Sequence, residues 1–462
     1  MLLYRDKEFV PALLMLAIPV MLQNLLSAAL NFVDVFMIGS QGDVSIAAVG
    51  GANQFFFFYH MLMFGISSGA GIFAAQYWGR KDFRSLQAVM SIGLNLNLIF
   101  SLLSAVAVLL FPRFIMGMFS NDPQVIALGA NYMMIISSCF VLAPLAMNYA
   151  VVLRSTGQVK LPMYASFLGV GLNTFGNYCL IFGKFGFPAM GVQGAAIATV
   201  ISRTVEASII VAYPYLTGSP VAVKMRQLFS IDKELLAKYA RCSVPIILQG
   251  AGWSLGYTMY SVVYGHLSTE SLAAYNLACS IERICLILFM GIGAAASVMI
   301  GNQIGAGQIE KAKGYAGNFL LLALMGALLT GFILVIIKGQ LAAYYNLSDL
   351  SRGYLSGILF VMALILWAKA SNIVFHMGIL KGGGDTLFSM IVDVGGVWII
   401  GVPLAACGAF VLHWPVHLVV ALAAAEEISK AIIAYIRLFT GKWVHVLIEN
   451  KPITEASEVA VS

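Results

Sequence analysis

The chain has 462 residues, 60% of them hydrophobic and only 10% charged, with a formal net charge of +6. A soluble protein carries about 25% charged residues, so this composition and a mean hydropathy of +0.91 exclude a soluble globular domain and define a polytopic membrane protein. The modest positive charge asks for no nucleic acid, because basic cytoplasmic loops account for it.

Charged or Gly/Pro-rich breaks divide the chain into about twelve apolar segments, each near or above the roughly 20 residues that a spanning helix needs. They run over 11–38, 44–77, 86–111, 125–153, 161–182, 191–216, 239–264, 272–304, 315–337, 354–380, 387–412 and 416–439. The first is too long for a signal peptide. The six cysteines lie in or beside these segments without CxxC spacing and read as buried small hydrophobes. An N-lobe over 1–216, a connection over 217–238 and a C-lobe with a cytoplasmic tail over 239–462 are expected. The connection is basic and amphipathic, and fits either a helix on the membrane surface or a solvated linker.

With the N-terminus inside, Lys and Arg divide eighteen to four in favour of the inner side, counting Arg5, Arg226 and Lys451 among the eighteen. By the positive-inside rule both termini are then cytoplasmic, in a plasma or inner membrane. The halves also repeat. At a shift of 226 residues Pro19 meets Pro245, Gln23 meets Gln249, Gly65 meets Gly291 and Gly79 meets Gly305; at 227, Arg154 meets Lys381. Six helices per repeat give both halves one orientation, the parallel repeat of transporters that rock two lobes about a central site.

Residues 31–39 close the first segment and carry one carboxylate, Asp34, with no basic residue nearby. An acid within a span is costly and is a functional candidate by default. Counting about 1.5 Å per residue from the outer helix ends puts Asp34, Tyr132, Asn173, Asn177 and Thr199 within one or two turns of one another in depth. Asn173 and Asn177, spaced i, i+4, share a helix face. This set could hold a small hard cation through oxygen, or bind and release a proton; a cation site would use Asp34, Asn173 and Asn177. Desolvation favours the neutral carboxyl, which suits a proton carrier. An interhelical hydrogen bond explains Asn173 equally well, and packing explains Tyr132 and Thr199. Pro19 removes a helix hydrogen bond and makes a candidate hinge.

In the second half the position matching Asp34 is Tyr260. Glu282, Arg283, Lys369 and Asp393 form a possible secondary polar site there. Pairing of Glu282 with Lys369 or Arg283 is the simpler reading, a substrate or coupling role the sharper one. Arg203 and Glu206 are expected to pair, His60 and His376 to sit in the core, and Glu426, Glu427 and Lys430 to make packing contacts within the lobe.

The Asp34-Val35-Phe36-Met37-Ile38-Gly39 run, Gln76-Tyr77-Trp78-Gly79-Arg80-Lys81-Asp82, Gly191 to Thr199, Gly301-Asn302-Gln303-Ile304-Gly305 and Leu380-Lys381-Gly382-Gly383-Gly384-Asp385-Thr386 occur in order. Together they resemble the multidrug and toxic compound extrusion (MATE) family over about residues 11–439. The resemblance implies two six-helix lobes around a V-shaped cavity, and efflux of organic cations and other amphipathic compounds in exchange for protons or sodium. No cofactor beyond the coupling ion, and no enzyme activity, is expected. Relatives with an N-lobe cation site use residue types that carry onto Asp34, Asn173, Asn177, Tyr132 and Thr199. Other branches place a glutamate in the seventh helix, where this chain has Gln249, so the DinF-like branch is expected. Some relatives have an aspartate at the place of Asn177, and its absence favours protons over sodium. Small amphipathic compounds and membrane lipids are the expected partners, and the chain is expected to be a monomer.

The rivals are fewer in signals. A flippase of lipid-linked sugars from the same superfamily would show several cavity cations, for which Arg203, Arg283 and Lys369 are candidates. No catalytic dyad or metal cluster at matching depth supports an intramembrane enzyme, and no Gly-x-x-x-x-Gly-Lys-Ser/Thr loop supports ATP hydrolysis.

Overall fold

The computed structural model describes residues 6–228, 232–345 and 347–448. Arg5 and Lys451 lie outside them, as does the tail beyond 448, and so do the side chains of Asn31, Phe32, Val35, Met225 and Arg226. The architecture is all helical. The first six long helices are α1 (Phe9–Gly39), α2 (Asp43–Arg80), α3 (Phe83–Leu110), α4 in two pieces (Pro123–Ser137 and Leu142–Ser155), α5 (Lys160–Phe182) and α6 (Gly191–Leu216). The second six are α7 (Lys233–Leu267), α8 (Thr269–Gly305), α9 (Ile309–Tyr344), α10 (Asp349–Leu380), α11 (Thr386–Val411) and α12 in two pieces (Val416–Ala423 and Ala425–Thr440).

Among the described residues, nine of these helices are long and apolar enough to cross a membrane, and the bent pair of α4 makes a tenth. The remaining two are α7, which mixes Gln249, Ser254, Thr258 and four tyrosines into its length, and the split α12, which carries Glu426, Glu427 and Lys430. Within 217–238, read as either a surface helix or a solvated linker, a four-residue helix occupies Met225–Leu228, and α7 begins at Lys233. Val221 and Val223 just before the short helix are fully buried against the core of the first half, so that stretch is packed rather than laid on a membrane.

The break in α4 has a local cause. Its two pieces meet at 55°. The Ser137 and Ser138 hydroxyls donate back to the carbonyls of Met134 and Ile135, each at 2.7 Å, a pattern that bends helices. Pro144 then lacks the N–H that would reach the Phe140 carbonyl. Tyr59 of α2 donates to that carbonyl at 2.7 Å instead, with its ring stacked on Phe140. Pro19, by contrast, sits inside an uninterrupted α1. Alternative windings occur late in the chain: π-helical turns occupy Val374–Leu380, Gly396–Gly401 and Cys407–Val411.

The two halves share cores at one end and keep separate cores at the other. At the end where α1 begins, Phe9, Leu13, Leu16 and Ala17 pack into a cluster of α8, α9 and α10, while Tyr239, Cys242 and Ile246 of α7 pack into a cluster of α2, α3 and α4. At the far end, α7–α12 form one cluster and α1–α6 another. The shared end follows the repeat residue by residue. Gly65 of α2 meets Ile247 of α7, and Gly291 of α8 meets Met21 of α1. Gly79 lies against the Asn302 carbonyl, and Gly305 against the Gln76 carbonyl. All four partner pairs are related by the shift of 226 positions. Only glycine lets the two backbones approach this closely. After α12 the chain covers the same end: Trp443 is fully buried, His445 N–H donates to the Gly383 carbonyl at 2.8 Å, and Gln76 bonds both the His445 carbonyl and the Leu447 N–H.

Candidate functional site

Asp34 stands near the far end of α1, half-buried, about a turn before the helix stops at Gly39. α5 and α6 pack so closely that a Cβ on Gly176 would lie 2.9 Å from the Ala198 Cβ. That approach, and the i, i+4 spacing of the two asparagines, builds a continuous chain of hydrogen bonds. Asn177 Nδ2 donates to Asp34 Oδ1 at 2.6 Å and to Asn173 Oδ1 at 3.1 Å. Asn173 Nδ2 donates to Thr199 Oγ1 at 3.1 Å, and Thr199 Oγ1 donates to the Ala195 carbonyl at 2.9 Å. Both asparagines are buried, and Asn177 Oδ1 has no partner. Four of the five residues singled out from the sequence are therefore joined. The fifth, Tyr132, is buried with its ring near Phe56, and no hydrogen bond joins it to the chain.

A second network lies toward the shared end. Gln23 Nε2 donates to the Pro162 carbonyl at 3.0 Å and to Ser166 Oγ at 2.9 Å; Ser166 Oγ donates to Glu206 Oε1 at 2.7 Å, and Arg203 pairs with Glu206 at 2.8 Å. The second half repeats this arrangement with altered charge. Gln249 Nε2 donates to Ser389 Oγ at 3.2 Å and Asp393 Oδ2 at 3.0 Å, and Lys430 of α12 pairs with Asp393 at 3.0 Å. An acid from α6 faces a serine in one half; a base from α12 faces an acid in the other. Ser166 was not legible as a site residue, since a lone serine in an apolar helix carries no signal by itself.

Of the C-half residues singled out, Glu282 and Lys369 form a buried pair at 2.7 Å. Arg283 is exposed and takes no part in it. Asp393 belongs to a separate group: Lys430 also reaches Glu426 at 3.6 Å, and Tyr260, at the place matching Asp34, donates to Glu426 Oε2 at 2.6 Å. Asn372 Nδ2 donates to Glu427 Oε2 at 2.7 Å. His376 is a core residue bonded to Ser389 at 3.0 Å, whereas His60 is exposed, contrary to expectation. The Glu426/Lys430 spacing of i, i+4 and the acid Asp393 within a span were the signs of this network.

Long helices in two repeats, sharing cores at one end and keeping separate cores at the other, with polar networks inside each half, have the architecture of a secondary transporter. The family model MatE matches residues 19–179 and 245–407, and the chain belongs to that family. It is 27% identical over 456 residues to the protein from Thermotoga maritima named "Probable multidrug resistance protein NorM", covering 95% of both chains. It is 25% identical over 393 residues to "Probable multidrug resistance protein YoeA" of Bacillus subtilis, covering 84% of each. Among solved structures, a MATE protein in complex with MaL6 superposes with a TM-score of 0.85 at 21% identity, over 93% of this chain and 96% of that one. A structure described as the outward-facing conformation of a multidrug resistance MATE family transporter gives 0.84 at 21% identity, with the same coverage. The chain is thus a multi-pass membrane transporter with twelve helices in two lobes, and not an enzyme.

Proposed function

We propose that this transporter exports organic cations and other amphipathic compounds in exchange for protons, through protonation of Asp34. The observation that carries this reading is the Asp34–Asn177–Asn173–Thr199 chain, which ties one carboxylate on α1 to α5 and α6. As a carboxylate Asp34 only accepts hydrogen bonds; protonated, it becomes a donor as well, and the unpartnered Asn177 Oδ1 is an acceptor close to hand. Gain or loss of one proton would change how α1 is held against its neighbours, with Pro19 as the point of bending. Sodium is the second choice of ion, held through Asp34, Asn173 and Asn177. A coupling site in the first half also favours the DinF-like branch.

In this reading the lobes are 1–216 and 239–462, linked by 217–238. Both termini and the shared end are cytoplasmic, in the inner membrane, and the transporter works as a monomer. The names of the relatives support small compounds as cargo. Flipping of lipid-linked precursors is less favoured: of the three cations first considered for it, Arg203 and Lys369 are held by Glu206 and Glu282, which leaves Arg283 alone.

The test is dye flux in proteoliposomes of wild type and Asp34→Asn, under a pH gradient and separately under a sodium gradient. Wild type is expected to move a fluorescent organic cation under the pH gradient alone, and the variant to lose this flux. Sodium-driven flux would transfer the role to the metal reading. Equal flux by wild type and variant under both gradients would remove Asp34 from coupling.

A further inference from the structure

A cavity of about 130 Å³ lies between the halves near their shared end, walled by α1, α2, α4, α8 and α10. Its surface is mostly apolar, with Leu16, Val20, Phe64, Ile72, Met290 and Met377 among its walls. Ser68, Ser155 and Ser297 interrupt this pattern, and two charged side chains break it outright, Arg154 at the end of α4 and Lys381 at the end of α10. They hold corresponding places in the two repeats, 227 positions apart.

Neither cation pairs with a carboxylate among the described residues. Arg154 Nε donates to the Ala150 carbonyl of its own helix at 3.1 Å, and Lys381 Nζ lies over the Phe64 ring at 4.8 Å from its centre. A basic residue in a last helical turn normally complements the helix dipole or reaches for water. Here the two charges instead line one chamber. Beyond these contacts, neither side chain makes a hydrogen bond among the described residues. A guanidinium plane grips a carboxylate or phosphate with two parallel bonds, and an ammonium adds a point charge beside it.

The geometry points to a binding site for the anionic head of an amphiphile, a carboxylate or phosphate bridging Arg154 and Lys381 while its apolar body lies along Leu16, Val20 and Phe64. Because the two cations come from different halves, the bound anion ties the lobes together at the shared end. Without it, like charges face each other across the seam and favour opening. A ligand that prefers one state shifts the equilibrium toward it. This inference does not rest on coupling through Asp34.

The test uses the full-length transporter in phosphatidylcholine nanodiscs, with binding followed by calorimetry and by the thermal unfolding midpoint. Decanoate and decyl phosphate are expected to bind and raise the midpoint, with decanol and decyltrimethylammonium about tenfold weaker or worse. Arg154→Gln and Lys381→Gln should each weaken decanoate by about tenfold, while Lys381→Arg and Asp34→Asn bind normally. If phosphatidylglycerol in the disc competes decanoate away, the natural head group is a lipid's. If inorganic phosphate competes instead, a free anion suffices. Equal binding of decanol and decanoate by wild type would overturn the proposal even if the glutamine variants failed to fold, and so would unchanged binding by folded glutamine variants.

Discussion

Lys369 and Glu282 show what a buried charge requires of its partner. Both are nearly excluded from solvent, at 13% and 5% exposure, and each is tolerable because the other is 2.7 Å away. Removing one partner strands the other, at a cost of about 3–5 kcal/mol, whereas apolar replacement of both is often neutral. Lys369→Met is therefore expected to lower the thermal midpoint in detergent sharply, and the Lys369→Met, Glu282→Leu double variant to recover most of it. A double variant as unstable as the single would show that the pair is not the origin of the loss. Asp6 makes a different kind of tie, outside the spans. Lys311 at 2.8 Å, the Tyr315 hydroxyl at 2.6 Å and the Glu8 N–H hold its carboxyl well below the usual carboxylate range. A depressed folded-state value means that the stabilisation is complete above the unfolded-state pKa of about 4 and is lost as pH falls toward the folded-state value. The stability difference between wild type and Asp6→Asn should hold constant from neutral pH down to about pH 5 and shrink below that. A constant difference down to pH 3 would contradict this account.

At the scale of an element, α4 shows a break written locally and completed from outside. Ser137, Ser138 and Pro144 weaken the helix, but the Phe140 carbonyl that they leave open is satisfied by Tyr59 from α2. An unpaired carbonyl at this depth costs about 1–3 kcal/mol, so Tyr59→Phe should destabilise the transporter by that order. In a Pro144→Ala background the restored N–H can reach Phe140 itself, and the same substitution should then cost much less. Equal cost in both backgrounds, measured by thermal unfolding, would detach Tyr59 from the break. The early helices were legible because their apolar runs are long and their ends carry charges or glycine; the structure extends α2 by only a few residues, to Asp43–Arg80. The π turns of α10 and α11 left no such mark. Winding of that kind is settled by what the helix packs against, here Gly293 and Ala296 of α8 against Gly378.

For the whole molecule, closure at the shared end depends on two glycines that each face the other helix's backbone. Any Cβ on Gly79 or Gly305 collides with a carbonyl, of Asn302 or Gln76, that cannot turn aside. Gly79→Val and Gly305→Val are expected to wedge this end open by similar amounts, since the contacts are related by the repeat. Spin labels across the end on α2 and α8 should report a longer distance in both variants, and unchanged distances would show that the seam yields elsewhere. The same seam carries the chain after α12, where His445 and Leu447 bond to Gln76.

Composition and spacing alone determined the membrane class, the helical segments, the twofold repeat and the prominence of Asp34. Each follows from local arithmetic: apolar length against bilayer thickness, and the cost of a charge within a span. Which buried groups meet was decided only by the tertiary structure. Helices apolar on nearly every side do not announce which face turns inward or which helix lies beside it. Lys369 could have met Glu282 or left it to Arg283, and Tyr132, expected at the depth of Asp34, does not bond to it. Arg154 and Lys381 looked like ordinary basic ends of spans until the crossing of the two halves set them facing one chamber.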